Sequence, residues 1–406
     1  MLGNYSIKSL KCQKGQALIL SVFLVLATAM AAVLMYNNGQ VTSEKSRLVN
    51  AADAAAYSGG IYFARNLNFL AYTNRAMIAN HVAMGHFISY VSWIRYLDDA
   101  LTKLSTYTAI YPPIGVWVAR AQSVMSEIKD GTEDIAPILV KASGAMNSTI
   151  AKAQRLSQAT MNGVLSVSTL LDVKIMDKVA KSYHPTIRVN YSEDVNVSNS
   201  NVITSVNTFQ INNDIRNLLS YVKGYQANDD DGRMKTMIER SYDVSSPWIT
   251  NRGWSSPAVS AQRLKKAGNT LHKMEDDLAN WEASDDIYYR RLRRWRWRSA
   301  IFASGKANAR EFDEEYKGVS SYYDLRNREI SADQALYISA LATMPISSTR
   351  FMELLDLKPG TERLAALSRA EIFHKRPDVG FNILGDGEYS NLYNPFWQVR
   401  LSKNNI

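Results

Sequence analysis

ALILSVFLVLATAMAAVLMY, residues 17 to 36, carries no charged side chain, and its only hydroxyls are those of Ser21 and Thr28. About 20 apolar residues at a helical rise of about 1.5 Å per residue cover the roughly 30 Å hydrocarbon layer of a bilayer. The two hydroxyls can bond to carbonyls of their own helix, so they do not oppose insertion. The run is longer than the roughly 7 to 15 apolar residues of a secretory signal, although Ala29, Ala31 and Ala32 resemble the small residues of a cleavage site. A retained transmembrane helix is therefore expected. Lys8, Lys11 and Lys14 precede it and place the N-terminus on the cytoplasmic side, partly opposed by Lys45 and Arg47 beyond it. The boundaries read as a basic cytoplasmic leader over 1–16, a transmembrane helix over 17–36 and an ectodomain after it. Ala27 and Ala31, four apart, offer a small-residue face for packing against another membrane helix.

The chain has 406 residues, 46% hydrophobic and 21% charged, which is the composition of a folded protein. Its formal charge is +9, of which the three leader lysines supply part, so the ectodomain is only mildly basic and nucleic acid is not an expected partner. Cys12 is the single cysteine and lies before the membrane helix. The ectodomain thus has no thiol for a disulfide, a zinc cluster or a nucleophile.

From Val41 to Leu104 apolar residues recur at helical spacing, with a small-residue face at Ala51, Ala52, Ala54, Ala55 and Ala56 suited to another helix. Ser58-Gly59-Gly60 offers a bend. Tyr111-Pro112-Pro113 ends this block. A second helical region over about 116–181 follows, with a break expected near Ala136-Pro137. Residues 37–182 read as a helical, Ala-rich packing region and 183–260 as β and loop, because β-branched residues alternate there with Asn and Ser. Residues 261–406 read as a mixed helical and C-terminal region, with a charged helix from Ala261 to about Arg298 that turns Leu278 and Trp281 inward. Tryptophans of the 246–257 loop are expected to be pinned to the core. The fold class is α+β, a single transmembrane helix continuing into a long helix with a smaller β-containing part.

The sharpest local feature is Arg290, Arg291, Arg293, Arg294, Trp295, Arg296, Trp297 and Arg298. Such a mixture can hold an anionic partner, but Asp285, Asp286, Asp313, Glu314 and Glu315 are close in sequence, and pairing with them is the expected arrangement. Asn228-Asp229-Asp230-Asp231-Gly232 lacks the alternate spacing and terminal Glu of an EF-hand and reads as a solvated loop. His81, His86, His184, His272 and His374 are scattered, and each reads as structural. Neighbouring carboxylates such as Asp98-Asp99 and Asp285-Asp286 diverge on a helix rather than forming an acid/base pair. No nucleophile elbow, P-loop or H-E-x-x-H motif occurs. The expectation is a non-enzyme with no cofactor, no metal and no catalytic residue.

Lys14-Gly15-Gln16-Ala17 opens the apolar helix, and Arg47-Leu48-Val49-Asn50-Ala51-Ala52-Asp53-Ala54-Ala55-Ala56 follows it. This pair of blocks resembles the TadE/TadG-like family of tight-adherence (Tad, or Flp) pilus-assembly proteins, in which a basic residue and Gly precede the membrane helix and an N-A-A-D-A-A-A block follows. The resemblance implies a structural or assembly component of a Tad-like pilus in the bacterial inner membrane, its ectodomain periplasmic or carried into an extracellular pilus. The partners it implies are other pilus-assembly or pilin-like membrane proteins, the lipid bilayer and further copies of the chain. The Asp-x-Ser-x-Ser turn of a von Willebrand A metal site, common in TadG-type members, is absent from the sequence. Cleavage between Gly15 and Gln16, as in prepilins, goes with Glu at the fifth mature position, which here is Leu20. A minor pilin-like subunit of the filament and a membrane-tethered enzyme acting on envelope polymers are the alternative readings.

Overall fold

The computed structural model describes residues 16–165, 175–191, 211, 213–214, 216–227, 232–245, 252–259, 262–275, 278–293, 296–326, 336–345, 363–377 and 389–403. Leader residues 1–15, most of the Asn228–Gly232 loop, Trp248, Arg294 and Trp295 lie outside the described residues.

One helix organises everything else. Helix α1, Gln16–Thr108, runs unbroken for 93 residues, roughly 140 Å at a rise of about 1.5 Å per residue. A helix of this length needs external support, because propensity alone is weak per residue. Beyond the membrane stretch, α1 finds that support on two sheets in turn.

Its first ectodomain third turns Leu48, Ala51, Ala52, Ala55, Phe63 and Leu67 into a core shared with β1 (Arg188–Val189), β8 (Leu336–Pro345), β9 (Arg363–His374) and β10 (Trp397–Ser402). These strands form an antiparallel sheet in the order β1-β8-β9-β10. The buried alanines are thus spent on the chain's own core, which this sheet shares with Met161, Met176 and Ala180 of other helices. Small side chains let a sheet approach a helix axis as well as a helix can. Gly59 and Gly60 do not bend α1. A Cβ at Gly59 would come within 2.9 Å of Ile338 and Met176, and one at Gly60 within 2.7 Å of Val399, so these glycines make room for packing. Asn68 bonds both ways with the backbone of Trp397, at 3.0 Å each, and ties β10 to α1.

The distal part of α1 lies on the second sheet, ordered β3-β4-β5-β6. Its long strands are β4 (Gln262–Glu275), β5 (Leu278–Arg293) and β6 (Arg296–Asn308), with β3 (Trp254–Ser255) at the edge. The charged helix expected over Ala261–Arg298 is therefore a β-meander. On β5 the buried positions alternate through Ala279, Trp281, Ala283, Asp285 and Ile287, which is strand periodicity. Among the described residues of 261–406, only Ala309–Phe312, α5, is helical. Gly305 on β6 touches α1 so closely that a Cβ there would fall on the backbone of Ser92 and Tyr96. No rotamer relieves a Cβ clash, and Gly305→Ala is expected to cost about 3 kcal/mol in a denaturant titration.

Helix α2, Pro112–Leu165, folds back along α1 after the turn at 109–111. The Pro-Pro step falls at its first turn, where missing donors are harmless. Pairings descend α1 as α2 ascends: Lys129 to Asp98, Asn80 to Ser143, Gln154 to Asn74 and Ser157 to Asn66. The expected break at Ala136-Pro137 does not occur. Ala136 and Val140 are fully buried on either side of the proline, and that packing holds the helix through it.

The 183–260 stretch also departs from its β and loop reading, since it holds α4, Gly232–Ser245. Met234, Ile238 and Tyr242, four apart, form its buried face. Helix α3, Ile175–Lys181, helical residues at 216–221, and the short pair β2 (Val222–Gln226) with β7 (Ser321–Leu325) belong to the same fold. Trp254 is 46% exposed, so the expected core anchoring fails for it. The architecture is α+β, with one helix as the spine of two antiparallel sheets.

Candidate functional site

The membrane stretch of α1 is uncovered. Its most apolar 18-residue window has a mean hydropathy of 2.7 with none of it buried, and among the described residues α1 is the one helix long and apolar enough to cross a membrane. Ser21 donates to the Leu18 carbonyl at 2.8 Å, and Thr28 to those of Leu24 and Val25 at 3.0 and 2.9 Å. Ala27 and Ala31 are exposed on this stretch. Of the family-like block, Ala51, Ala52, Ala55 and Ala56 are buried in the first core, whereas Asn50 is exposed and Asp53 and Ala54 are half-buried.

The arginine-rich segment is the tip of the β5–β6 hairpin. Arg291 faces Arg298, Leu292 faces Trp297 and Arg293 faces Arg296 across the strands. Strand β4 adds Arg263, directly opposite Arg290, a member of the cluster that lies too far off in sequence to be grouped with it by eye. The guanidinium carbon of Arg263 sits 4.5 Å from the Trp297 ring centre, and that of Arg290 sits 5.9 Å from it. Two guanidiniums on one indole screen each other poorly and are oriented by the ring.

Among the described residues the expected neutralisation by nearby acids is absent. Asp285 is buried, accepting from Arg252 Nε at 2.9 Å, Lys266 Nζ at 2.8 Å and Ser92 Oγ at 2.9 Å. Asp286 accepts from Ser304 and Tyr288. No carboxylate among the described residues lies within 4.0 Å of Arg263, Arg290, Arg291, Arg296 or Arg298. In a strand the acids alternate with, and run away from, the basic tip instead of winding back to it as on a helix.

The tip also has a defined place. Trp281 of β5 donates to the His81 carbonyl, Asp285 meets Ser92, and Phe302 of β6 stacks on Tyr107, so the hairpin follows α1 toward its far end. Tyr36 and Thr108 are separated by about 110 Å of helix at about 1.5 Å per residue.

Sequence distance hid a second grouping. His81 on α1 and His272 on β4 lie with ring centres 5.3 Å apart, in a buried cluster with Trp281 and Tyr316. His81 Nδ1 is 2.8 Å from the Tyr316 hydroxyl. Burial, and then the neighbouring His272, hold His81 well below its ordinary pKa. Burial, and then Lys235, lower His272 from 6.5 to about 4. Both rings are therefore neutral at pH 7. No third His, Cys, Asp or Glu joins them among the described residues.

His86 Nε2 lies 2.7 Å from Ser245 Oγ, in a cleft between α1 and α4 lined also by Arg75, Val82 and Met237. Its Nδ1 is buried without a partner among the described residues, so the ring lacks the orienting acid of a Ser-His-Asp arrangement. Stacking on Tyr242 at 4.6 Å holds the ring instead.

Residues 15–66 match the Tad family model, described as Flp pilus-assembly TadE/G-like. The match begins one residue before α1 and ends within the first core, so it covers the membrane stretch, the Lys45–Arg47 flank and the N-A-A-D-A-A-A block. No curated protein and no solved structure matches the chain.

Proposed function

We propose, from the Tad family match over residues 15–66, that the chain is a membrane-anchored structural component of a Tad-like pilus or related envelope appendage. It works by protein–protein contacts, with its N-terminus cytoplasmic and its ectodomain periplasmic at a bacterial inner membrane. One observation carries the reading: the uncovered apolar helix continues without a break into the spine of the folded ectodomain. An anchor built this way holds its ectodomain at a fixed distance from the bilayer.

Mass measurement and N-terminal sequencing of the native protein in separated membrane and sheared-filament fractions test the proposal. Met1 retained in membranes supports the anchored component. A new N-terminus at Gln16 in filaments replaces it with a pilin-like subunit. Unchanged pilus formation, adhesion and secretion after deletion would sink both readings.

The basic hairpin tip is the part of the ectodomain suited to an anionic partner. Exposed charge pairs contribute up to about 1 kcal/mol each, so Arg291→Ser, Arg296→Ser and Arg298→Ser together are expected to weaken binding to a sulfated polysaccharide on the order of 30-fold. The melting temperature should stay unchanged, because all three side chains are exposed.

A further inference from the structure

Helix α2 has an outward face with the wrong chemistry for solvent. Its inward face buries Ala136, Val140, Ser143, Asn147 and Ala151 against α1 and the second core. The opposite face of such a helix is ordinarily polar. Here Trp117, Val124, Ile128, Ile135 and Ile138 are 72, 57, 42, 52 and 68% exposed.

Their spacing is regular. Positions 117, 121, 124, 128, 131, 135, 138, 142, 145 and 149 advance by alternating steps of four and three, and read Trp, Ala, Val, Ile, Gly, Ile, Ile, Ala, Ala and Thr. All ten are exposed. This is a heptad seam with Ala121, Ile128, Ile135, Ala142 and Thr149 at a, and Trp117, Val124, Gly131, Ile138 and Ala145 at d. It runs for more than four heptads, longer than the three or four that mark a coiled coil.

A second observation points the same way. Gly131 sits mid-helix, where glycine costs about 1 kcal/mol relative to alanine, and among the described residues nothing lies within 4 Å of the Cβ it lacks. Gly59, Gly60 and Gly305 are each explained by an internal neighbour that a side chain would strike. Gly131 has no such neighbour among the described residues, and a partner helix approaching the seam would use the space it leaves.

We propose that the outward face of α2 is the seam of a parallel two-stranded coiled coil with a second copy of this chain. The direction follows from two facts. Copies anchored in one bilayer by α1 send α1 out the same way and α2 back the same way, so an axis along the bilayer normal pairs α2 in parallel. The flanking charges agree. Arg120, Glu127, Asp134 and Lys141 occupy the g positions. An antiparallel pairing centred between Asp130 and Gly131 would bring Glu127 to Asp134 and Arg120 to Lys141, like against like. The parallel pairing sets them beside Met125, Thr132, Leu139 and Met146 at e, with no repulsion.

The parallel direction rests on the membrane-anchored reading, and the experiment separates the two. Cys12→Ser leaves the full chain without a thiol. Single cysteines then go in at Ile128→Cys and Ile138→Cys on the seam and at Asp130→Cys beside it, and native membranes are treated with copper phenanthroline. A parallel, in-register pair puts equal residues together, so seam positions should form disulfide dimers at least about tenfold faster than position 130. Dimer rates at 128 and 138 no greater than at 130 overturn the pairing. So does an unchanged dimer mass in sedimentation when Ile128, Ile135 and Ile138 are all changed to Glu, substitutions that exposed side chains tolerate in the monomer. Alkaline extraction of the same membranes reads the anchor independently. A chain that resists extraction yet fails to cross-link sinks the seam alone, whereas one that is extracted and still cross-links sinks the anchoring alone.

Discussion

Asp285→Ala is expected to destabilise the ectodomain by roughly 3–5 kcal/mol, because it strips the counter-charge from two buried cations at once. Arg252 and Lys266 are 7 and 4% exposed and Asp285 is fully buried. Beyond Asp285, Arg252 donates to Thr270 and to the Asn269 carbonyl, and Lys266 to the Arg252 carbonyl, so both cations are locked where they stand. Neither can follow water outward when its partner is lost. The site also joins β4, β5, the 252 segment and, through Ser92, the spine itself. Urea unfolding of the detergent-solubilised protein, followed by tryptophan fluorescence, measures the effect. A loss under about 1 kcal/mol would show that the pair is not the lock described. Replacing Asp285, Arg252 and Lys266 together with Leu, Met and Met should recover most of the stability, since desolvation is then removed along with attraction.

Acid should loosen the same region through the two histidines. Their folded pKa values are lowered, so the unfolded chain binds protons first as pH falls. The His272 contribution is therefore full above about pH 6.5, declines between that value and about 4, and levels off below its folded pKa. For His272 alone the shift corresponds to about 3 kcal/mol, and His81 adds to it in the same direction. The groups facing the pair are Tyr316, Trp281 and Lys235, none of which supplies a negative charge to receive the proton. His272→Phe should flatten the fall in urea midpoint between pH 7 and pH 4.5. An equally steep fall in that variant would assign the acid sensitivity to other groups.

Much of this architecture is written in local patterns, and the parts that escape are those where burial and polarity part company. The membrane helix is legible because length and charge alone define it. The Tyr111-Pro112-Pro113 turn is legible because proline has one way to enter a helix. Strand β4 is not. Its inward positions are Lys266, Gly268, Thr270 and His272, a polar set that conceals a period of two. Strand β5 alternates correctly, but Asp285 stands at a buried position and Arg290 to Arg298 suggest a solvated helix. Ser58-Gly59-Gly60 and Pro137 read as breaks because their intrinsic preferences are strong, and tertiary packing overrides both. The basic tip was recognisable by composition. That no described carboxylate reaches it depends in part on Asp285 being claimed by Arg252 and Lys266, which local sequence does not reveal. The pairing of His81 with His272, 191 positions on, is settled by the meander alone.

In the membrane-anchored reading proposed above, a single unbroken helix from bilayer to tip also makes the molecule a lever. With about 110 Å between Tyr36 and Thr108, a change of about 10° in the tilt of the membrane segment, well inside the range such helices adopt, sweeps the basic tip sideways by about 19 Å. Both sheets ride on the shaft, so they travel with it instead of absorbing the movement. A small reorientation among lipids, or of one membrane helix against its neighbour, is thereby converted into a displacement several times wider than the helix, delivered at the end farthest from the membrane.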